Sequence, residues 1–368
     1  MSSRLLSRSR IVMSALGHAF DREPAPCEPA SVLIAHHPKM IGDTLLMSPL
    51  FAKARHVWPR AQIVAAVSPA MLPLYASRPW RIEAIEYDPK NARTLSGFRR
   101  PGGFDLAIVP GDNRYGWFAR AAGSRWIVGF DDDSPRYKNL LLDELHRYPD
   151  TPDTWGDMAA GLIEGPEPPP YDPSQWPAPA FAPFEMPSQA YAVIHLGTST
   201  LLKRWLPERW MQVADHLAAR GLLVMWSAGR GEENLVAECD PRGRYRSLAG
   251  LLDLAQMWHL LAHARILVTP DTGISHLGRI TFTPTVTLFG PGTPQLVGSG
   301  RFFRQAPWKA AIVDPFPCRD QPILYKRRVE WVRRCTRSIR ECPAPRCMHA
   351  IEVADVGSAI ASLVPELA

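Results

Sequence analysis

The sequence predicts an α/β protein built from two halves, each with its own parallel sheet. Three observations carry this. Short apolar runs alternate with helical segments along both halves of the chain, the pattern of parallel sheets crossed over by helices. Nine prolines fall between Pro166 and Pro187, a density that excludes regular helix and central strand and marks a stiff linker. The 368 residues also suit about two domains of ordinary size.

The elements follow in order. Residues 1–30 carry Arg4, Arg8 and Arg10 with no acid in the first twenty. They lack the uninterrupted apolar core of a leader, and they read as a poorly ordered extension. Ser31 to Ala35 is the first strand, and His36 to Asp43 the turn after it. Thr44 to Met47 is a helical turn or a loop. Ser48 followed by Pro49 looks like an N-cap with proline at the first helical position, opening a helix through Arg55. Further strands are expected at 62–67, 82–87, 104–109 and 125–128, each bounded by glycine or proline. These make a first domain over 31–165, with the linker at 166–187.

The second domain, 188–350, opens with the strand Tyr191 to His195 and a helix from Pro207 to Arg220. Strands at 222–226 and 266–269 flank a helix over 252–264. Another strand, 284–289, ends in a Gly-Pro turn. A C-terminal helix occupies 351–368. Two such halves joined by a stiff linker are expected to leave a cleft, where ligands commonly bind.

Hydrophobic residues make up 46% and charged residues 21% of the chain, a globular composition with ample core. The net charge of +6 is regional. From Phe316 to Ala350 there are nine Lys/Arg against three Asp/Glu, which suits anionic lipid, an acidic substrate, nucleic acid or a solvated helix face. Nucleic acid is the weakest of these, because no recognisable module with interleaved aromatics accompanies the charge. No apolar stretch approaches the ~20 residues that span a bilayer, so a soluble, cytoplasmic chain is expected. Cys318, Cys335, Cys342 and Cys347 share the basic segment; they read as buried free thiols, with a zinc site or redox pair as the alternative.

Val268 to Leu277 reads as strand, sharp turn and helix. Asp271 or Thr272 can cap that helix, and Gly273 lets a ligand approach the backbone. Amides exposed there, at the carboxyl end of a strand, would form an anion site; an ordinary capped turn is the alternative. Asp43 is placed to be a general base or a helix cap. Lys203, behind Thr198, Ser199 and Thr200, suits a phosphate or simply a solvated loop. His276 is a packed, hydrogen-bonded residue or a catalyst. The Gly229/Gly231 pair is too short for a dinucleotide fingerprint.

Taken together, Ile41-Gly-Asp43, Lys203-Arg-Trp-Leu-Pro-Glu-Arg-Trp210, Asp271-Thr-Gly-Ile-Ser-His-Leu277 and Phe289-Gly-Pro-Gly-Thr-Pro294 resemble the ADP-heptose:lipopolysaccharide heptosyltransferase family (glycosyltransferase family 9). The resemblance implies a GT-B fold, two Rossmann-like domains facing across a cleft, with acceptor on the first and donor on the second. It implies inverting transfer without a metal or cofactor, at the cytoplasmic face of the inner membrane. By position, Asp43 would be the base and Lys203 would offset charge on the departing ADP beside Thr198 and Ser199. Asp271 would orient donor sugar hydroxyls, the amides around Thr272 and Gly273 would meet the phosphates, and His276 would support the site. ADP-heptose and a lipid-linked saccharide are the expected partners, with peripheral contact to anionic membrane through the basic segment. Two features depart from the family pattern. Arg279 and Ile280 stand where relatives usually carry small residues, so that Arg279 would add a cation near the phosphates or point into solvent. The Cys318–Cys347 segment maps onto none of the family's core motifs. Another nucleotide sugar, a protein acceptor, or a non-catalytic nucleotide-sugar binding protein are the alternatives.

Overall fold

The computed structural model describes residues 3–18, 20–38 and 41–367. The chain divides into two compact units. Unit 1 comprises residues 1–169, 175–177 and 323–331, and unit 2 comprises 170–174, 178–322 and 332–368.

Unit 1 is built on a six-stranded sheet of β1 (Ser31–Ile34), β2 (Gln62–Val67), β3 (Glu83–Glu86), β4 (Phe104–Val109), β5 (Ser124–Phe130) and β6 (Glu144–His146). Its order is β3-β2-β1-β4-β5-β6, and every pairing is parallel. The interior strands are continuous apolar runs because helices cover both faces of such a sheet. The edge strand β6, Glu-Leu-His, is three residues long and partly exposed; it carries no such signal and escapes a search for apolar runs.

Unit 2 repeats the plan with β7 (Tyr191–His195), β8 (Leu223–Ser227), β9 (Arg246–Ser247), β10 (Ile266–Pro270), β11 (Thr285–Phe289) and β12 (Trp308–Ile312). Its order, β12-β11-β10-β7-β8-β9, is the same when counted from its own first strand. In each sheet the chain reverses direction of progress between the first and fourth strands, β1/β4 and β7/β10. The crevice outside the carboxyl ends of such a pair is where open α/β sheets bind ligands.

The N-terminal extension expected to be poorly ordered contains a helix instead, α1 (Ser3–Gly17). Ser7, Ile11 and Ala15 recur every fourth residue and are buried, and Ser14 Oγ donates to the carbonyl of Ala121 at 3.0 Å. One amphipathic face suffices for docking, whereas an unbroken apolar run was the signal sought. Lys39 and Met40 of the expected 36–43 turn lie outside the described residues. That turn ends early, because α2 (Ile41–Leu46) already includes Asp43 in its first turn. Ser48 is the first residue of α3 (Ser48–Val57), with Met47 at the cap position.

The linker has only a single 3₁₀ turn, Pro173–Gln175, but it is pinned to both units. Trp176 Nε1 donates to Leu74 O at 2.8 Å within unit 1, and the Tyr171 hydroxyl donates to Ile280 O at 2.8 Å within unit 2. The domain expected over 188–350 is interrupted. Residues 323–331 leave it and pack as part of unit 1.

Candidate active site

In unit 1 the candidate base lies on α2, the first helix after β1. Asp43 sits inside α2, so it is not the helix cap that the sequence allowed. Its Oδ2 accepts a hydrogen bond from the Tyr325 hydroxyl at 3.2 Å. The Tyr325 ring lies 5.2 Å from that of Trp155, and a Cβ at Gly111 would lie 3.6 Å from it. Tyr325 belongs to a short antiparallel hairpin in which Leu324 pairs with Arg327 and Ile323 with Arg328.

Arg327 fastens that hairpin. Its side chain is buried and donates to Asp131 O at 2.6 Å, Gly111 O at 2.9 Å, Asn113 Oδ1 at 2.8 Å and Phe130 O at 3.0 Å. These acceptors lie at the carboxyl ends of β4 and β5. Asp133 stands 3.6 Å away and is itself bonded by Lys138 at 2.9 Å. Lys138 also reaches Asp112 at 3.1 Å. Burial pushes the Asp112 carboxyl up, but hydrogen bonds from Arg114 and Lys138 outweigh it and hold it at about 2.

In unit 2 the loop after β7 and the turn after β10 meet at the switch point. Lys203 Nζ donates to Asp271 Oδ2 at 2.8 Å and to Asp271 O at 2.7 Å. Asp271 therefore turns toward the lysine and caps nothing. Thr272 occupies the cap position of the helix Gly273–Ile280, yet its side chain makes no capping bond. Its Oγ1 is buried without a partner among the described residues, an orphaned polar atom at the positive end of a helix. Thr198 and Ser199 are partly buried and exposed respectively, on the loop that carries Lys203.

His276 is buried in the same helix, and Arg279 donates to its Nδ1. That leaves the ring proton on Nε2. Burial first, then Arg279 and Lys203, hold its pKa well below the usual imidazole range, so the ring is neutral. Arg279 does not point into solvent, one of the two fates expected for it. It is buried, donates to the carbonyls of Gly298 and Val297, and lies over the rings of Phe303 and Trp308.

The basic segment divides its charges between the interior and the surface. Arg319 is buried against Gly290 O at 2.7 Å and Arg327 is buried in unit 1, while Arg328 pairs with Glu330 and Arg337 with Asp320. Arg319 and Arg327 thus work inside the fold, whereas Lys326, Arg328, Arg333, Arg340 and Arg346 are exposed. Cys318, Cys335, Cys342 and Cys347 are free thiols. Burial, then Cys318, pushes the Cys347 thiol up to about 11, the protonated state in which a thiol is inert. Among the described residues no group of three or more His, Cys, Asp or Glu is placed to hold a metal ion.

The sequence reading missed three participants. Tyr325 lies 282 residues from Asp43 and Arg327 lies 196 to 216 residues from its acceptors near β4 and β5, and nothing local announces them. Glu232 had a signal: an acid just past a glycine turn at a strand's end. Its carboxylate accepts from Gly229 N at 2.9 Å and Thr198 N at 3.2 Å. A Cβ at Gly229 would come within 2.7 Å of Glu232 Oε2, so a side chain there would displace the carboxylate tip.

Two doubly wound sheets of identical order, each with its polar residues at the switch point, define a glycosyltransferase fold of the GT-B type. The chain belongs to glycosyltransferase family 9 (heptosyltransferase), whose model matches residues 100–313. That stretch contains Lys203, Asp271 and His276 but not Asp43. Lipopolysaccharide heptosyltransferase 1 of Pseudomonas aeruginosa is 30% identical over 213 residues, 53% of this chain and 57% of that protein. The match thus spans little more than half of that relative's length. Among solved structures, ADP-heptose lps heptosyltransferase II of E. coli superposes with a TM-score of 0.66 at 18% identity, covering 91% of this chain and 99% of the other. The dodecameric iron-containing heptosyltransferase TibC in complex with ADP-D-beta-D-heptose gives a TM-score of 0.53 at 20% identity, over 94% of this chain and 79% of that one. At these identities the structural likeness is one of fold. No described helix is long and apolar enough to cross a membrane.

Proposed function

We propose that the protein is an inverting, metal-independent heptosyltransferase that moves heptose from ADP-heptose to a lipopolysaccharide core saccharide at the cytoplasmic face of the inner membrane. The observation that carries this is the Lys203–Asp271 pair, 2.8 Å apart, beside an uncapped helix start with an orphaned hydroxyl. In glycosyl transfer positive charge builds on the sugar and negative charge on the leaving group. A lysine and preorganised amides stabilise the second without a divalent cation.

In this reading the amides of Thr272 and Gly273 meet the diphosphate, with Thr198 and Ser199 beside it. Lys203 exchanges its bond to Asp271 for a phosphate oxygen. Asp271, released from the lysine, orients sugar hydroxyls, and His276 offers a neutral Nε2–H donor. On unit 1, Asp43 accepts the proton of the acceptor hydroxyl as its oxygen attacks the anomeric carbon. The carbon–oxygen bond to the diphosphate breaks, and ADP leaves with that electron pair. Inversion follows from this single displacement.

The test is Asp43→Asn, assayed for transfer and for donor binding by thermal shift. Transfer should fall by roughly 10²- to 10⁴-fold, the usual share of general base catalysis. The shift caused by ADP-heptose should match wild type, since only bound ligand raises stability. Equal loss of both would make Asp43 structural, and no shift with any nucleotide sugar would remove the donor assignment.

A further inference from the structure

We propose that Tyr325 is a positioning residue for Asp43, so that the Cys-containing basic segment completes the acceptor side of the active site. This rests on Asp43 being the general base.

The hairpin that carries Tyr325 is built at a conformational cost. Tyr325 and Lys326 form its two-residue turn with φ of +46° and +66°. Side chains other than Gly, Asn and Asp seldom occupy both such positions. Left-handed backbone of this kind persists only where the surroundings over-determine it. Here they do. Arg327, the next residue, is locked by the carbonyls of Gly111, Phe130 and Asp131 and by Asn113. Trp331 Nε1 donates to Pro149 O at 2.8 Å and ties down the far end.

The outcome of this anchoring is a phenol aimed at one carboxylate oxygen. Tyr325 Oη lies 3.2 Å from Asp43 Oδ2 across 282 residues of sequence, and its ring is wedged between Trp155 and Gly111. A carboxylate on α2 can rotate about its last bond. A hydrogen bond to Oδ2 restrains that rotation and favours one direction from which the other oxygen meets an acceptor hydroxyl. Tyr325 keeps its own proton throughout; the transferred proton goes to Asp43.

Tyr325→Phe removes the hydroxyl and keeps the ring packing. In an ADP-release assay with ADP-heptose and a truncated lipopolysaccharide acceptor, kcat should fall about tenfold, with the KM for donor unchanged. The acid limb of the pH profile should move to higher pH, because the carboxylate has lost a donor that favours its charged form. A second readout needs no acceptor. The carboxyl-carbon NMR titration of Asp43, assigned by its absence in Asp43→Asn, should have a higher midpoint in Tyr325→Phe. An unmoved midpoint would overturn the proposal, as would a wild-type kcat with an unmoved acid limb. The two readings fail separately. Transfer that survives Asp43→Asn removes the base, whereas an inactive Asp43→Asn beside a wild-type-like Tyr325→Phe removes only the role of Tyr325.

Discussion

Lys203 is held by Asp271, the group it would leave for a diphosphate in the proposed mechanism. Its bonds to Asp271 at 2.7 and 2.8 Å keep the ammonium pointed at the helix start before any ligand is there, so little ordering remains for binding to supply. Lys203→Ala should weaken ADP binding roughly ten- to a hundredfold, the value of a charge-assisted hydrogen bond, measured by calorimetry. Part of that loss would come from an Asp271 carboxylate left facing the phosphates. The double variant Lys203→Ala/Asp271→Asn separates the two, and a full return of affinity would assign the whole effect to repulsion. Arg279 shows how little a residue's type says about its job. One expectation put it in solvent, and it is a buried strut for the Val297–Gly298 carbonyls that also sets the tautomer of His276.

At the scale of elements, the hairpin 323–328 and the helix Gly273–Ile280 are positioned by opposite means. The helix packs so closely on its sheet that a Cβ at Gly278 would come within 2.5 Å of Thr285 Oγ1; small size at one position sets it. The hairpin is fastened chiefly by a buried charged side chain, Arg327. Arg327→Met should cost about 3–5 kcal/mol, because it strands buried carbonyls and removes a cation beside the buried Asp133. Urea unfolding followed by the fluorescence of Trp155 and Trp331 would measure this, together with faster proteolysis between Ile323 and Trp331. A change under 1 kcal/mol would mean the hairpin is held by its apolar contacts instead. The helix was legible from Val268 to Leu277, because strand, turn and helix are contiguous and their apolar pattern is local. The hairpin was not, because its two-residue strands have no period to read.

At the scale of the molecule, each unit buries a histidine at or just past the carboxyl end of the first strand of its sheet. Burial first, then the neighbouring His37, lowers His36 to about 3, and burial lowers His195 to about 4. An unfolded histidine titrates near 6.5. The folded pKa lies below that, so these groups contribute stability that is fully present above about pH 6.5. It is lost as pH falls toward 4 and then 3, where only the unfolded chain takes up protons. Thermal unfolding should therefore occur at lower temperature as pH drops from 7 to 4.5. The slope should be smaller in His36→Asn/His195→Asn, and an equal slope would show that other groups set it.

The sequence by itself determined the two-sheet plan, the strands at 62–67, 104–109, 191–195 and 285–289 within a residue or so, and the Lys203 and Asp271 motifs. All of these rest on contiguous residues, where apolar pattern and turn chemistry act locally. Only the tertiary structure decided that Asp271 faces Lys203 instead of capping a helix, that Ser3–Gly17 dock as α1, and that residues 323–331 belong to the first unit with Tyr325 on Asp43. Each of those depends on which distant carbonyl or carboxylate offers a buried donor its hydrogen bond. That choice is made in space, after the chain has folded back on itself, and leaves no periodic mark along it.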